Sequence, residues 1–332
     1  MTTPVDSAQP RTAGFPVDLP AVRAAQARIA PWVHRTPVMS SRSLEAQCPG
    51  TGTRLFFKCE NFQKVGAFKA RGATNAVFSL TDEEAPRGVV THSSGNHGAA
   101  LAYAASCRGI PAWIVMPDNA PAIKQANVRG FGGAIRFCAP TVTAREAACA
   151  AVQAETGATL VHPYNDWRVI AGQGTAGLEL LDEVPDLDGL IVPCGGGGLL
   201  SGTAIAAKAA RRGIRVFGAE PLGADDAKRS LAAGRIIPQE NPRTIADGLR
   251  TSLGDKTFAV LSRLVDGIGT ATEDGIIRAM RMTWERMKII VEPSSAVPLA
   301  CLLEGTIALD GARIGIVLSG GNVDLDRLPW QG

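Results

Sequence analysis

Residues 56–73 read FFKCENFQKVGAFKARGA, and the reading of this stretch decides the fold. Leu55-Phe56-Phe57 is an apolar run short enough for a buried strand. A polar, glycine-containing turn follows, and Ala67 is expected to open a helix that carries Phe68, Lys69, Ala70 and Arg71 in its first turn. Lys69 then sits at a helix N-terminus, where unpaired N–H groups and the positive end of the dipole give a cation no support. A solvated surface lysine is the ordinary explanation, but apolar Phe68 and Ala70 flank this one. A desolvated lysine near other positive charge has a lowered pKa, which suits it to carbonyl chemistry.

Outward from this stretch the chain alternates short apolar strands with helices of ordinary length. Strands are expected at 87–91, 111–116, 134–138, 160–162, 189–193, 214–219 and 314–318. Helices are expected at 18–29, 95–107, 120–129, 141–155, 171–181, 199–211, 273–287 and 294–303. That alternation predicts an α/β protein with a mainly parallel sheet wrapped by helices. No Pro/Gly/Ser-rich linker divides it.

Two more stretches join a strand directly to a helix. CGGGGLLSG at 194–202 places four glycines where backbone N–H groups can approach an anion, with a helix N-terminus behind them. It ends in no Gly-Lys-Ser/Thr, and Leu200 and Ser201 stand where a dinucleotide fingerprint needs its third glycine. SSGNHG at 93–98 has the same strand-to-helix setting. There Ser94 reads as an N-cap, and the geometry also suits a carboxylate. LSGGN closes the strand at 314–318.

FKARGA, SSGNHG, CGGGGLLSG and LSGGN occur in the order found in the fold type II (tryptophan synthase β-like) pyridoxal phosphate enzymes. The chain most closely resembles their serine/threonine dehydratase and serine racemase branch, over about 17–324. The resemblance implies two domains with the cofactor in the cleft between them: a large one from 17–83 plus 165–332, and a small inserted one at 84–164. It implies that Lys69 carries pyridoxal 5′-phosphate covalently, with Phe68 beside it. The N–H groups of Gly195, Gly196, Gly197, Gly198 and Leu199 would hold the phosphate. Asn96 would bond the ring oxygen, Ser319 would meet the ring nitrogen, and Glu292 would supply an acid near the ring. Ser93, Ser94, Asn96 and His97 would receive the substrate carboxylate, with Ser94 opposite Lys69 across Cα. His97 is equally readable as a packed core histidine and Glu292 as an acid complementing a helix start. Arg145 falls where related enzymes carry an arginine near the substrate, and reads equally as a solvated helix-face arginine.

The segment after strand 214–219 matches the divalent-metal site of serine racemases, through Glu220, the Ala224 carbonyl and Asp226. Hard cations such as Mg²⁺, Mn²⁺ or Ca²⁺ take such oxygen ligands, although Asp225 and Asp226 also suit a helix start. The implied reaction is α,β-elimination from a small β-hydroxy amino acid, L-threonine or L-serine, to a 2-oxo acid and ammonia. Serine racemisation would occur at the same site. The rivals are a threo-3-hydroxyaspartate dehydratase, a β-replacement enzyme of the cysteine synthase type, and a non-catalytic ligand-binding relative. Against the second, His97 stands where those enzymes usually carry threonine. Against the third, the lysine and the glycine loop are both present.

Composition excludes other classes. The 332 residues carry a net charge of only +3 and 5% aromatics, without basic-aromatic interleaving, so nucleic acid is not expected as a partner. No apolar stretch reaches membrane-spanning length. The opening MTTPVDSAQPRTAGFP lacks a signal-peptide core and reads as a disordered tail over 1–16. Seven scattered cysteines, an odd count, argue against a disulfide framework and for a reducing cytoplasm. The resemblance adds a homodimer, and the short run after Ser319 argues against isoleucine feedback through a C-terminal regulatory domain.

Overall fold

The sheet that carries the lysine stretch grows from β2 (Arg54–Cys59), whose Leu55, Phe57 and Cys59 are fully buried. The structure, a computed structural model, describes residues 14–93, 95–120 and 122–331. The tail expected at 1–16 therefore lies largely outside the described residues, as does Ser94. In chain order α1 (Leu19–Ile29), β1 (Val38–Ser40) and α2 (Arg42–Glu45) precede β2, and α3 (Lys69–Phe78) follows it. Next come β3 (Val89–His92), α4 (Asn96–Arg108), β4 (Ala112–Pro117), α5 (Ala122–Gly130), β5 (Ala134–Cys138), α6 (Val142–Thr156) and β6 (Thr159–Leu160). The chain continues through α7 (Trp167–Glu183), β7 (Gly189–Pro193), α8 (Gly198–Ala210), β8 (Arg215–Pro221) and α9 (Asp226–Ala233). It finishes with α10 (Asp255–Leu264), β9 (Gly267–Ala271), α11 (Glu273–Met287), α12 (Pro293–Leu303) and β10 (Arg313–Leu318).

Two sheets result. One has the order β1-β2-β10-β7-β8-β9, the other β5-β4-β3-β6. Every pairing is parallel except β1 with β2. Strands of the larger sheet are apolar on both faces because helices cover both. On β7, Leu190 and Val192 pack with α1, α7, α8 and α10, whereas Ile191 turns to the α11–α12 side. Such continuous apolar runs are what a doubly covered parallel sheet requires.

Several boundaries differ from the sequence reading. Ala67 does not open α3; its backbone is extended and bridges to Gly320, and the helix begins at Lys69. Gly95 is the N-cap residue of α4, a position at which Ser94 was expected. His162 lies beyond β6. The sequence reading missed α2, α10 and β9: α2 is one turn long, and Gly267 and Gly269 weaken the strand signal of β9.

A buried charge cluster fixes α3. Arg71 reaches Glu60 at 2.7 and 2.8 Å and Glu179 on α7 at 2.8 Å, and Lys58 on β2 donates to Glu179 at 2.7 Å. Two cations balance two anions, so the cluster tolerates burial only while all four groups are present. Alongside it, a Cβ on Gly172 would lie 2.6 Å from the Gly72 Cα, so only glycine permits the close contact of α3 with α7.

Candidate active site

The candidate site residues collect where strands of both sheets end. β2 leads to Lys69, β10 to Ser319, β7 to the glycine loop, and β3 and β6 to Asn96 and Pro163. Ligands of open α/β sheets bind at this carboxyl edge.

Lys69 is half-buried at the first position of α3, and its Nζ donates to the Pro163 carbonyl at 2.8 Å. Burial lowers its pKa from 10.5 to about 8, against the smaller opposing effect of the Glu292 charge. The ammonium also lies 5.1 Å from the centre of the Phe68 ring. Phe68 N donates to the Ser319 carbonyl at 2.9 Å, which ties the lysine helix to the end of β10.

The loop Gly195, Gly196, Gly197, Gly198 and Leu199 is buried throughout. Among the described residues no hydrogen bond satisfies its N–H groups; the first helical bond runs from Ser201 N to the Gly197 carbonyl. Buried unpaired N–H groups are costly unless an acceptor meets them. Gly196 must be glycine here, because a Cβ would fall 2.3 Å from the Tyr164 ring. A phosphate fits this cradle by the chemistry of its donors, and an aldehyde fits the lysine beside it. The residues present therefore suit pyridoxal phosphate.

Asn96 opens α4, and its Nδ2 donates to both Glu292 oxygens at 3.1 Å, while its Oδ1 accepts from Asn322 Nδ2 at 2.9 Å. Glu292 is the N-cap residue of α12 but makes no side-chain cap; it accepts instead from Asn96 and from Asn322 N at 3.2 Å. Burial, the largest effect, raises its pKa to about 7. Ser319 is buried, with its Oγ 3.1 Å from Ser295 Oγ, and the Ser295 hydroxyl donates to the Gly320 carbonyl at 2.6 Å. Ser93 Oγ accepts from Gly95 N at 3.3 Å. His97 is buried, with Nε2 3.1 Å from the Val161 carbonyl, and burial holds its pKa well below the usual value. Nothing is described for Ser94, and Arg145 is partly buried on α6.

Behind the glycine loop lies the acidic pair. Glu220 is fully buried at the end of β8 and accepts from Ala227 N at 3.0 Å and Lys228 N at 2.9 Å, in the first turn of α9. Asp226 Oδ2 accepts from Leu253 N at 3.3 Å, and its buried Oδ1 has no partner. Burial raises Glu220 to about 8 and Asp226 to about 7, and the Asp226 charge pushes Glu220 further up. Ala224 is buried in the turn between them. Neither carboxylate has a salt-bridge partner among the described residues, and the unpartnered Asp226 Oδ1 suits a hard cation, although no group of three or more His, Cys, Asp or Glu side chains able to hold a metal occurs among the described residues. Asp226 also begins α9, as the structural reading of the sequence expected.

Sequence reasoning assigned nothing to Pro163, Tyr164 or Ser295. No local pattern marks them: Pro163 meets Lys69 across 94 positions of chain.

The family model described as pyridoxal-phosphate dependent enzyme matches residues 29–320. The beta-hydroxyaspartate dehydratase of Paracoccus denitrificans is 52% identical over 93% of this chain and 97% of its own length. The structure of maize serine racemase superposes with a TM-score of 0.91 at 53% identity, covering 94% of this chain and 95% of that one. The serine racemase of Dictyostelium discoideum gives a TM-score of 0.89 at 48% identity, covering 93% and 99%. The chain thus belongs to the fold type II family of pyridoxal-phosphate dependent enzymes.

Proposed function

We propose that the protein removes water and ammonia from a small β-hydroxy amino acid, L-serine or L-threonine, to give a 2-oxo acid, and that the same site racemises serine. The observation that carries this reading is the desolvated Lys69 amine at the strand ends that also hold a buried, unsatisfied N–H cradle. When bound, pyridoxal phosphate supplies an electron sink for the charge that develops at the substrate Cα. Lys69 would carry it and Gly195 to Leu199 would hold its phosphate. Lys69 Nζ would accept the α-proton of the substrate, and its low pKa keeps part of it neutral for that task.

Asn96 would bond the ring oxygen and Ser319 the ring nitrogen, with Phe68 and Glu292 beside the ring. The neutral hydroxyl of Ser319 lies 3.1 Å from that of Ser295. With no carboxylate there to hold a proton on the ring nitrogen, the sink would be weaker, which supports elimination over transamination. Ser93, Asn96 and the N-terminus of α4 around His97 would receive the substrate carboxylate. Ser94, through the family resemblance, would return a proton to Cα from the other side. Glu220, Asp226 and the Ala224 carbonyl would hold a divalent cation whose charge offsets two buried acids, in a structural or activating role. The two sheets would form separate domains in a homodimer, with the cofactor between the sheets.

The test is 2-oxo acid release from L-serine, D-serine, L-threonine and L-threo-3-hydroxyaspartate, each with Mg²⁺ and with a chelator. Release from L-serine and L-threonine, slowed by the chelator, is expected, and Lys69→Ala should abolish it. Release confined to hydroxyaspartate would transfer the assignment to that substrate, which the 52% identity to the Paracoccus enzyme favours as the second reading. No oxo acid from any of them would overturn the lyase.

A further inference from the structure

The segment joining β6 to α7 touches both halves of the candidate site, and one acceptor atom shapes it. His162 Nδ1 accepts from Tyr164 N at 3.3 Å and from Asn165 N at 2.9 Å. An acceptor that takes the N–H groups two and three residues ahead imitates the turn usually made by Asn or Asp side chains. With both donors aimed at Nδ1, the ring proton belongs on Nε2. The imidazole stands edge-on to Tyr164 at 4.6 Å and to His92 at 5.5 Å between ring centres.

Inside this turn, the Pro163 carbonyl accepts from Lys69 Nζ at 2.8 Å. Tyr164 lies against the glycine loop so closely that a Cβ on Gly196 or Gly198 would come within 2.3 or 2.9 Å of it. Asn165 then fastens to the start of α10, accepting from Lys256 N at 3.0 Å, and Asp166 caps α7. Nothing else among the described residues accepts the Tyr164 and Asn165 N–H groups.

We infer that His162 is a positioning residue: its Nδ1 folds the turn so that the Pro163 carbonyl holds the Lys69 amine and Tyr164 forms the floor of the glycine cradle. This rests on the proposal that Lys69 and the cradle bind the cofactor. Burial, reinforced by the His92 and Lys69 charges, lowers the His162 pKa to about 4, so Nδ1 stays free to accept through the neutral range. The role needs an acceptor at this point and no proton transfer, so asparagine can fill it and leucine cannot.

The experiment titrates cofactor-free protein with pyridoxal phosphate, following the visible absorption of the bound cofactor and its borohydride-fixed incorporation at Lys69. His162→Asn should keep the affinity within about threefold, whereas His162→Leu should weaken it on the order of tenfold, the worth of one to two hydrogen bonds. Circular dichroism of the cofactor-free variants checks folding. Should His162→Leu not fold, His162→Ser and His162→Ala make the same comparison at equal size, with Ser expected to bind tighter. Equal affinity in the acceptor and non-acceptor variants, whether both normal or both weakened, would overturn the inference and leave ring packing as the only role of His162. Wild-type protein that fails to bind the cofactor would instead overturn the function proposed above.

Discussion

The Lys69 amine should capture an aldehyde cofactor at a pH where an ordinary lysine does not. Only the neutral amine attacks a carbonyl. With a pKa near 8 instead of 10.5, about 9% of the amine is neutral at pH 7 against roughly 0.03%, a gain of roughly 300-fold. The sign follows from the direction of the shift: below pH 8 the folded-state amine is protonated, and capture should rise about tenfold per pH unit. Above pH 8 it should level off, while a free lysine side chain continues to gain until about 10.5. The assay is stopped-flow absorption of cofactor-free protein mixed with a limiting amount of pyridoxal phosphate between pH 6 and 10. An N-acetyl-lysine reference cancels the cofactor's own ionisation. Glu292→Gln removes the charge that holds the amine's pKa up, so its inflection should move to lower pH. A capture rate that climbs without a break to pH 10, as the reference does, would refute the desolvation argument.

Two further substitutions probe the frame around the amine. Gly196→Ala sets a methyl 2.3 to 2.4 Å from three carbons of the Tyr164 ring, an overpacking that typically costs about 1–3 kcal/mol. Cofactor affinity by fluorescence titration should fall about tenfold or more, and a change below twofold would mean the ring moves aside freely. Arg71→Leu leaves Glu60 buried without its ion-pair partner and Glu179 with Lys58 alone. Cofactor-free protein should lose about 3–5 kcal/mol in urea unfolding, and a loss under about 1 kcal/mol would show that the cluster reprotonates without cost.

What the sequence determined by itself was whatever short-range pattern encodes. Apolar strands alternating with helices give the parallel α/β architecture, and 134–138, 189–193 and 273–287 coincide with β5, β7 and α11 to the residue. Four glycines between a strand and a helix announce an anion cradle because backbone freedom is a local property. Lys69 was legible because its apolar neighbours are adjacent in the chain. Tertiary structure alone decided which groups meet these. Glu292 reads as a helix-start acid in sequence, yet its carboxylate turns away from α12 to Asn96, 196 positions distant. Ser319 looks like a turn residue until Ser295 arrives from α12. Burial brings the Lys69 amine to about 8 against the opposing Glu292 charge, and its hydrogen-bond acceptor is the Pro163 carbonyl; both groups come from distant segments that no window around residue 69 contains. Such contacts are fixed by the closing of two sheets at their strand ends, and strand order leaves no periodic trace in the sequence.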